Sequence, residues 1–98
     1  MTIVTLRYWA AAKEAAGVAE ETVDAGTLAE AVAAARGKAG HGGQAGHGGQ
    51  NEQDSRLRAA LARSSFLIDG TPAGNRARDS VVLEEGCVIE VLPPFAGG

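Results

Sequence analysis

The sequence predicts an α+β domain in which helices pack on one face of a mixed sheet. Three stretches carry that prediction. Residues 2–9, TIVTLRYW, alternate apolar with polar side chains. TLAEAVAAARG (27–37) repeats its apolar residues at helical spacing, and CVIEVL (87–92) returns to alternation at the far end of the chain. A period of two marks a half-buried strand, and a period near 3.6 marks a helix with one dry face.

Each element follows in order. Val4, Leu6 and Tyr8 share one face of the first strand, with Thr5 and Arg7 on the other. AAAKEAAG (10–17) is rich in alanine and closes on Gly17, as a short helix with a glycine stop does. EETVD (20–24) is a short strand able to pair with the first as a hairpin partner. In 27–37, Thr27 and Glu30 make a capping box, Leu28, Ala31, Val32 and Ala35 form the apolar stripe, and Gly37 is the stop. Residues 39–50 duplicate AGHGGQ in tandem, with six glycines in twelve and no large apolar side chain. Such a segment buries too little to offset its ordering entropy, so 38–51 is expected to be a flexible surface insert. The helical pattern resumes in EQDSRLRAALARS (52–64) through Leu57, Ala60 and Leu61. SFLIDG (65–70) is a strand entering an Asp69–Gly70 turn, and 71–80 reads as loop. VVLEEG (81–86) turns with Leu83 inward, and in the last strand Cys87, Ile89 and Val91 share a face. A β-grasp is the compact arrangement of this order, with the C-terminal strand lying beside the first.

Composition sets the broad class. The 98 residues fit one domain, 1–98, whose core is small: 45% of residues are apolar, many of them alanine, and aromatics make up 4%. A net charge of −3 argues against nucleic acid or an anionic membrane as partner, since both call for a basic face. The single Cys87 allows no internal disulfide and suits a reducing compartment. The N-terminus lacks the pattern of a signal peptide, and no apolar run has the length of a membrane span. A cytoplasmic domain is the expectation.

No catalytic constellation emerges. His41 and His47 sit in identical repeats with no cysteine nearby to complete a metal shell, so slippage duplication is the better reading and no metal site is expected. The insert's glycines lack the Gly-Lys-Ser/Thr of a phosphate-binding loop. Cys87 opens a strand without a local base and reads as a packing residue. Tyr8 and Trp9 read as core or interface, and the acidic residues lie in surface-like places with no pair set for acid–base work.

The ending LPPFAGG (92–98) is different. At a glycine usage of roughly 7% a terminal pair arises by chance in about one chain in two hundred, and the 14 glycines of this chain raise that to a few per cent. A physical reading also exists. Gly97 and Gly98 have no Cβ, so a carboxylate at Gly98 could enter a narrow site on another protein. Pro93 and Pro94 stiffen the stem and lower the entropy lost on docking, and Phe95 offers an apolar anchor. Val91, Leu92 and Phe95 would form the apolar docking end, with Arg7 and Lys13 on its rim.

With those residues in view, DSVVLEEGCVIEVLPPFAGG resembles the ending of the molybdopterin synthase small subunit, a sulfur carrier with a ubiquitin-like β-grasp fold. VTLRYWAAAKEAAG is similar to that family's opening strand and helix, SFLIDGT to its middle strand, and the duplicated insert departs from it. Gly-Gly alone would also suit carriers for thiamine or cysteine synthesis, or a ubiquitin-like protein modifier. The resemblance implies that an activating enzyme uses ATP and magnesium to adenylate Gly98, and that sulfur transfer makes the thiocarboxylate. It also implies that Leu92, Pro93, Pro94, Phe95 and Gly97 guide the tail into a large subunit. That subunit would hold the catalytic side chains in a heterotetramer and take sulfur for cyclic pyranopterin monophosphate. The chain itself would bind no cofactor and would be the sulfur-donating, non-catalytic subunit of a transferase.

Overall fold

The computed structural model describes residues 1–37 and 52–94. The elements are β1 (Ile3–Tyr8), α1 (Ala10–Ala16), β2 (Glu20–Asp24), α2 (Leu28–Ala34), α3 (Glu52–Arg63), β3 (Ser65–Ile68), β4 (Thr71–Pro72), a 3-10 turn (Arg78–Ser80) and β5 (Val88–Leu92). The five strands form one mixed sheet in the order β2-β1-β5-β3-β4. β5 lies parallel to β1, placing Leu6 beside Ile89 and Tyr8 beside Val91. On its other side β5 runs antiparallel to β3, with Phe66 beside Val91. β2 is antiparallel to β1, although the link between them is α1 rather than a tight turn.

Alternation set one face of this sheet against the helices. Val4, Leu6, Tyr8, Phe66, Ile89 and Val91 are buried in one cluster with Ala12, Ala15 and Ala16 of α1, Leu28 and Ala31 of α2, and Leu57 and Leu61 of α3. Val32 and Ala60, expected on the helical stripes, pack at the margin of that cluster. Leu83 is buried and so is Cys87. Asp69 and Gly70 both take positive φ (50° and 86°), the pattern of a type I′ turn.

Four expectations change in detail. Residues 71–80 are not all loop, because Thr71–Pro72 forms an edge strand and Arg78–Ser80 a 3-10 turn. An edge position tolerates Pro72, whose missing N–H faces no neighbour. Arg78 ties its segment to the core, donating to the Leu61 carbonyl at 3.1 Å and lying 4.6 Å from the Phe66 ring centroid. In the cap of α2, Thr27 Oγ1 accepts from Glu30 N at 3.2 Å, while Glu30 reaches Gly26 N at 2.7 Å, one residue earlier than the capping box calls for.

The third change concerns acidic residues. Glu21 is not at the surface but 8% exposed. Its Oε2 accepts from the Tyr8 hydroxyl, from Gly37 N at 2.7 Å and from Arg36 N at 3.1 Å. A buried carboxylate persists when its oxygens are satisfied in this way. Burial first, and then the bond to Glu21, push the Tyr8 hydroxyl above its ordinary value, so it remains a donor. Arg58 adds a second clasp, donating to the Val32 carbonyl at 2.8 Å and to the Ala35 carbonyl at the end of α2.

The fourth change concerns Gly37. α2 ends at Ala34, before the glycine. Gly37 instead lets the chain cross the end of α1: a Cβ there would stand 2.5 Å from the Ala16 carbonyl oxygen, at φ +62°. Gly74 also has positive φ (+69°) but has nothing within 4 Å of an added Cβ. Gly74→Ala should therefore cost about 1 kcal/mol of left-handed backbone strain. Gly37→Ala should cost about 1–3 kcal/mol more, the range for overpacking. Urea unfolding of the two variants checks the difference, and equal losses would remove the close approach as the reason for Gly37.

Cys87 supports a second test. It is 3% exposed, and burial above all pushes its thiol up, which leaves little thiolate at neutral pH. A thiol reagent at pH 8 should label it slowly in the folded chain and at once in denaturant. Fast labelling in the native state would revive it as a reactive group.

Candidate functional site

The end of β5 defines the candidate site. β5 is flanked on both sides, so its C-terminal residues are held by two hydrogen-bonded ladders until the last of them. Leu92 pairs with Ser65 and is half-buried, as is Pro93, while Pro94 is exposed. Two prolines in succession fix φ near −65° at each position, so direction is set as the chain leaves the sheet. Pro93 and Pro94 also line a groove between α1 and α3, which joins the stem of the tail to the helical layer. Phe95, Gly97 and Gly98 lie outside the described residues, as do His41 and His47.

Of the apolar docking end expected from sequence, Leu92 is partly open but Val91 is not. Val91 is fully buried, because it occupies the inward parity of β5. Trp9 supplies the exposed apolar surface instead, at 45% exposure. Its backbone N–H donates to the Val91 carbonyl at 3.3 Å, and its indole N–H donates to Glu90 Oε1 at 3.2 Å. The indole is thereby fastened to the strand that leads into the tail. Trp9 could have been found in the sequence by parity: Val4, Leu6 and Tyr8 point inward, so the next residue does not. The neighbouring Ala10 has a positive φ of 49°, where the chain reverses from β1 into α1.

The outward face of the sheet at this end is mixed. Arg7 pairs with Glu20 at 3.2 Å, with both side chains near half exposed, a contact worth little by itself. Lys13 is exposed on α1. Among the described residues no group of three His, Cys, Asp or Glu is placed to hold a metal ion. No helix among them is long and apolar enough to cross a membrane. Among the described residues the titration of Tyr8 and of Cys87 is displaced, both are buried, and both are displaced toward their neutral forms. The described part of the site fixes the point and direction at which the chain leaves the sheet.

No protein-family model matches the chain, and no relative is found among curated proteins. Solved structures do match. Small archaeal modifier protein 1 from Haloferax volcanii superposes with a TM-score of 0.68 at 19% identity, over 98% of this chain and 99% of that one. A chain of the complex of subunits 1 and 2 of molybdopterin-converting factor from Helicobacter pylori gives 0.60 at 21% identity, over 99% and 100%. The putative molybdopterin converting factor subunit 1 from Pyrococcus furiosus gives 0.59 at 14%, over 97% and 100%. The names of these structures, a small archaeal modifier and molybdopterin-converting factor subunits, fall among the proteins that the tail motif resembles. At such identities the likeness is one of fold, and the chain is a ubiquitin-like β-grasp domain.

Proposed function

We propose that this chain is the sulfur-carrier subunit of a molybdopterin synthase, and that the carboxylate of Gly98 is its working group. The observation that carries the proposal is the junction at the end of β5. A central strand held on both sides runs without a loop into Leu92-Pro93-Pro94, and the sequence continues Phe95-Ala96-Gly97-Gly98. A fixed stem followed by two residues without Cβ is what delivery of a terminal carboxylate into a narrow site demands.

The chemistry follows from the carboxylate. It is a poor electrophile, so it is first joined to AMP by an ATP- and magnesium-dependent partner enzyme, with release of pyrophosphate. A sulfur nucleophile then attacks the acyl carbon, AMP leaves, and Gly98 carries a thiocarboxylate. Inside a large subunit that supplies the catalytic side chains, the thiocarboxylate sulfur attacks a carbon of cyclic pyranopterin monophosphate. Water then cleaves the acyl–sulfur bond, the sulfur stays on the precursor and Gly98 returns as a carboxylate. This chain's part is to bind and to position. Leu92 and Trp9 give apolar contact, Pro93 and Pro94 fix the reach, and Phe95 anchors the tail. The Helicobacter pylori complex of subunits 1 and 2 supports a large-subunit partner.

A second reading keeps the adenylate and changes the acceptor: a lysine amine attacks, and the chain becomes a protein modifier. The likeness to small archaeal modifier protein 1 favours it. Reconstitution separates the two. With an adenylating and sulfurating enzyme, a molybdopterin synthase large subunit and precursor, the carrier gains about 16 Da when sulfur replaces oxygen, and then yields molybdopterin. Attachment to lysines without any product would favour the modifier. Product only in a parallel thiazole synthase assay would move the carrier to thiamine synthesis.

Two outcomes are expected of variants. Removing Gly98 should abolish adenylation while leaving the thermal melt unchanged, and full sulfur loading of the shortened chain would sink the proposal. Phe95→Ala should weaken binding to the large subunit by about 2 kcal/mol, as truncating a buried interface aromatic does. Calorimetry with unchanged affinity and a lowered Tm would make Phe95 a core residue instead.

A further inference from the structure

The helical layer has a groove at the stem of the tail. α1 packs chiefly against α3, and the facing side chains are small: Ala11 and Ala15 on one helix, Ala59 and Ala60 on the other. Methyl groups do not fill the space between two helices, and a cavity of about 300 Å³ remains, with Pro93 and Pro94 closing one end. That lies at the lower end of ligand pockets, about 300–1,000 Å³, and suits one or two aliphatic side chains.

Charge marks the same place. Arg56 and Arg63 line the groove on α3, seven residues apart and so about 10 Å along the helix axis. Both are exposed. The other arginines of the chain are committed: Arg7 to Glu20, Arg36 to the Ala33 carbonyl, Arg58 to the end of α2, Arg76 to the Ala73 carbonyl and Arg78 to the Leu61 carbonyl. Arg56 and Arg63 make no hydrogen bond or ion pair among the described residues. Glu14 on the opposite wall leaves the groove one unit positive, on a chain whose net charge is −3. Two uncommitted guanidiniums beside an apolar trough, on an otherwise acidic chain, select an acidic and apolar partner.

We propose that this groove docks a short acidic segment of the protein that receives the tail, with one aliphatic side chain in the alanine-lined trough and carboxylates against Arg56 and Arg63. The identity of that partner rests on the carrier reading. Continuity supports the placement. Pro94 is both a wall of the groove and the residue before Phe95, and each further residue reaches about 3.6 Å at most. A protein enclosing Gly98 therefore stands within a few residues' length of the groove. Docking there would fix the orientation of the domain about its tail, which a tail contact alone leaves free to rotate.

The test uses the full chain and two probes. The first is the peptide acetyl-Glu-Glu-Leu-Glu-Glu-amide, titrated against the isotopically labelled chain with its all-lysine counterpart as control. Amide shifts should be confined to α1, α3 and the Pro93–Pro94 stem. The R56E/R63E double variant should weaken binding about tenfold or more, with an unchanged melt. A59L, which fills the trough without touching charge, should weaken it too. Shifts on the open sheet face, no shifts, or equal affinity of the double variant would overturn the proposal. So would groove shifts on removing residues 95–98 from the free chain, which would assign the trough to the chain's own tail. A wild-type dimer dissociated by R56E/R63E would assign it to a second copy and overturn it likewise. The second probe is the large subunit: R56E/R63E should lower its affinity for the carrier while thiocarboxylate loading of Gly98 stays normal. If wild type neither loads nor binds the large subunit, the carrier reading fails, and the peptide titration still decides the groove.

Discussion

The parallel pairing of β1 with β5 joins the two ends of the chain, and the other contacts are arranged around it. Thr5 to Tyr8 lie beside Val88 to Val91, more than eighty residues away in sequence. Closing a loop of that length costs about 4 kcal/mol of chain entropy before any contact forms. The pairing offsets this by burying Leu6, Tyr8, Ile89 and Val91 together, each at 1% exposure or less. Once β5 is seated, β3 has an edge to join, and the helices have a continuous apolar face to cover. The same pairing decides where the tail leaves. A tail on an edge strand would hang from one ladder; this one leaves a strand fixed by two.

A second constraint holds the helical layer in register. Glu21 reaches up from β2 to the backbone of Arg36 and Gly37, while Gly37 crosses the end of α1 with no room for a Cβ. Arg58 of α3 closes the same region from the other side through the carbonyls of α2. The described chain is thus pinned on both flanks of residues 38–51 by polar contacts from β2 and α3. Glu21 gathers three donors at one oxygen, so its loss would deprive the Tyr8 hydroxyl and the backbone N–H groups of Arg36 and Gly37 together and cost more than a single bond is worth.

This contrast explains what could be read from the sequence. The inward faces of β1, β5 and the helices were legible because one-sided burial writes a period of two or 3.6 into the side chains. Cys87 was legible for the same reason, in step with Ile89 and Val91. Glu21 carried half of its signal, since it shares inward parity with Val23, but its partners Tyr8 and Gly37 lie 13 and 16 residues away and no local pattern links them. β4 is two residues long, too short to show any period. Val91, expected at the docking end, is buried because its parity in β5 points inward, and Trp9, outward by the same count, is the exposed apolar residue there. The groove between α1 and α3 was invisible for a different reason. An alanine reads as core filler in a sequence, and only the spacing of two helices shows how much room four of them leave.

The proposed chemistry also makes sense of which side chains the domain keeps. An acyl adenylate at Gly98 would react with any good nucleophile brought near it, including those of its own chain. Cys87 is the most nucleophilic candidate, and it is buried with its thiol held neutral. Tyr8 is held neutral first by its burial and then by its bond to Glu21. Of the nine cationic residues seven are arginine, and Lys13 and Lys38 are the two lysines. A guanidinium stays protonated throughout the working range and does not compete for an acyl group, whereas an amine does when it loses its proton. Arginine can thus give positive charge beside the tail without offering a rival acceptor. The stem of the tail meets that condition, because the two cations lining its groove are Arg56 and Arg63.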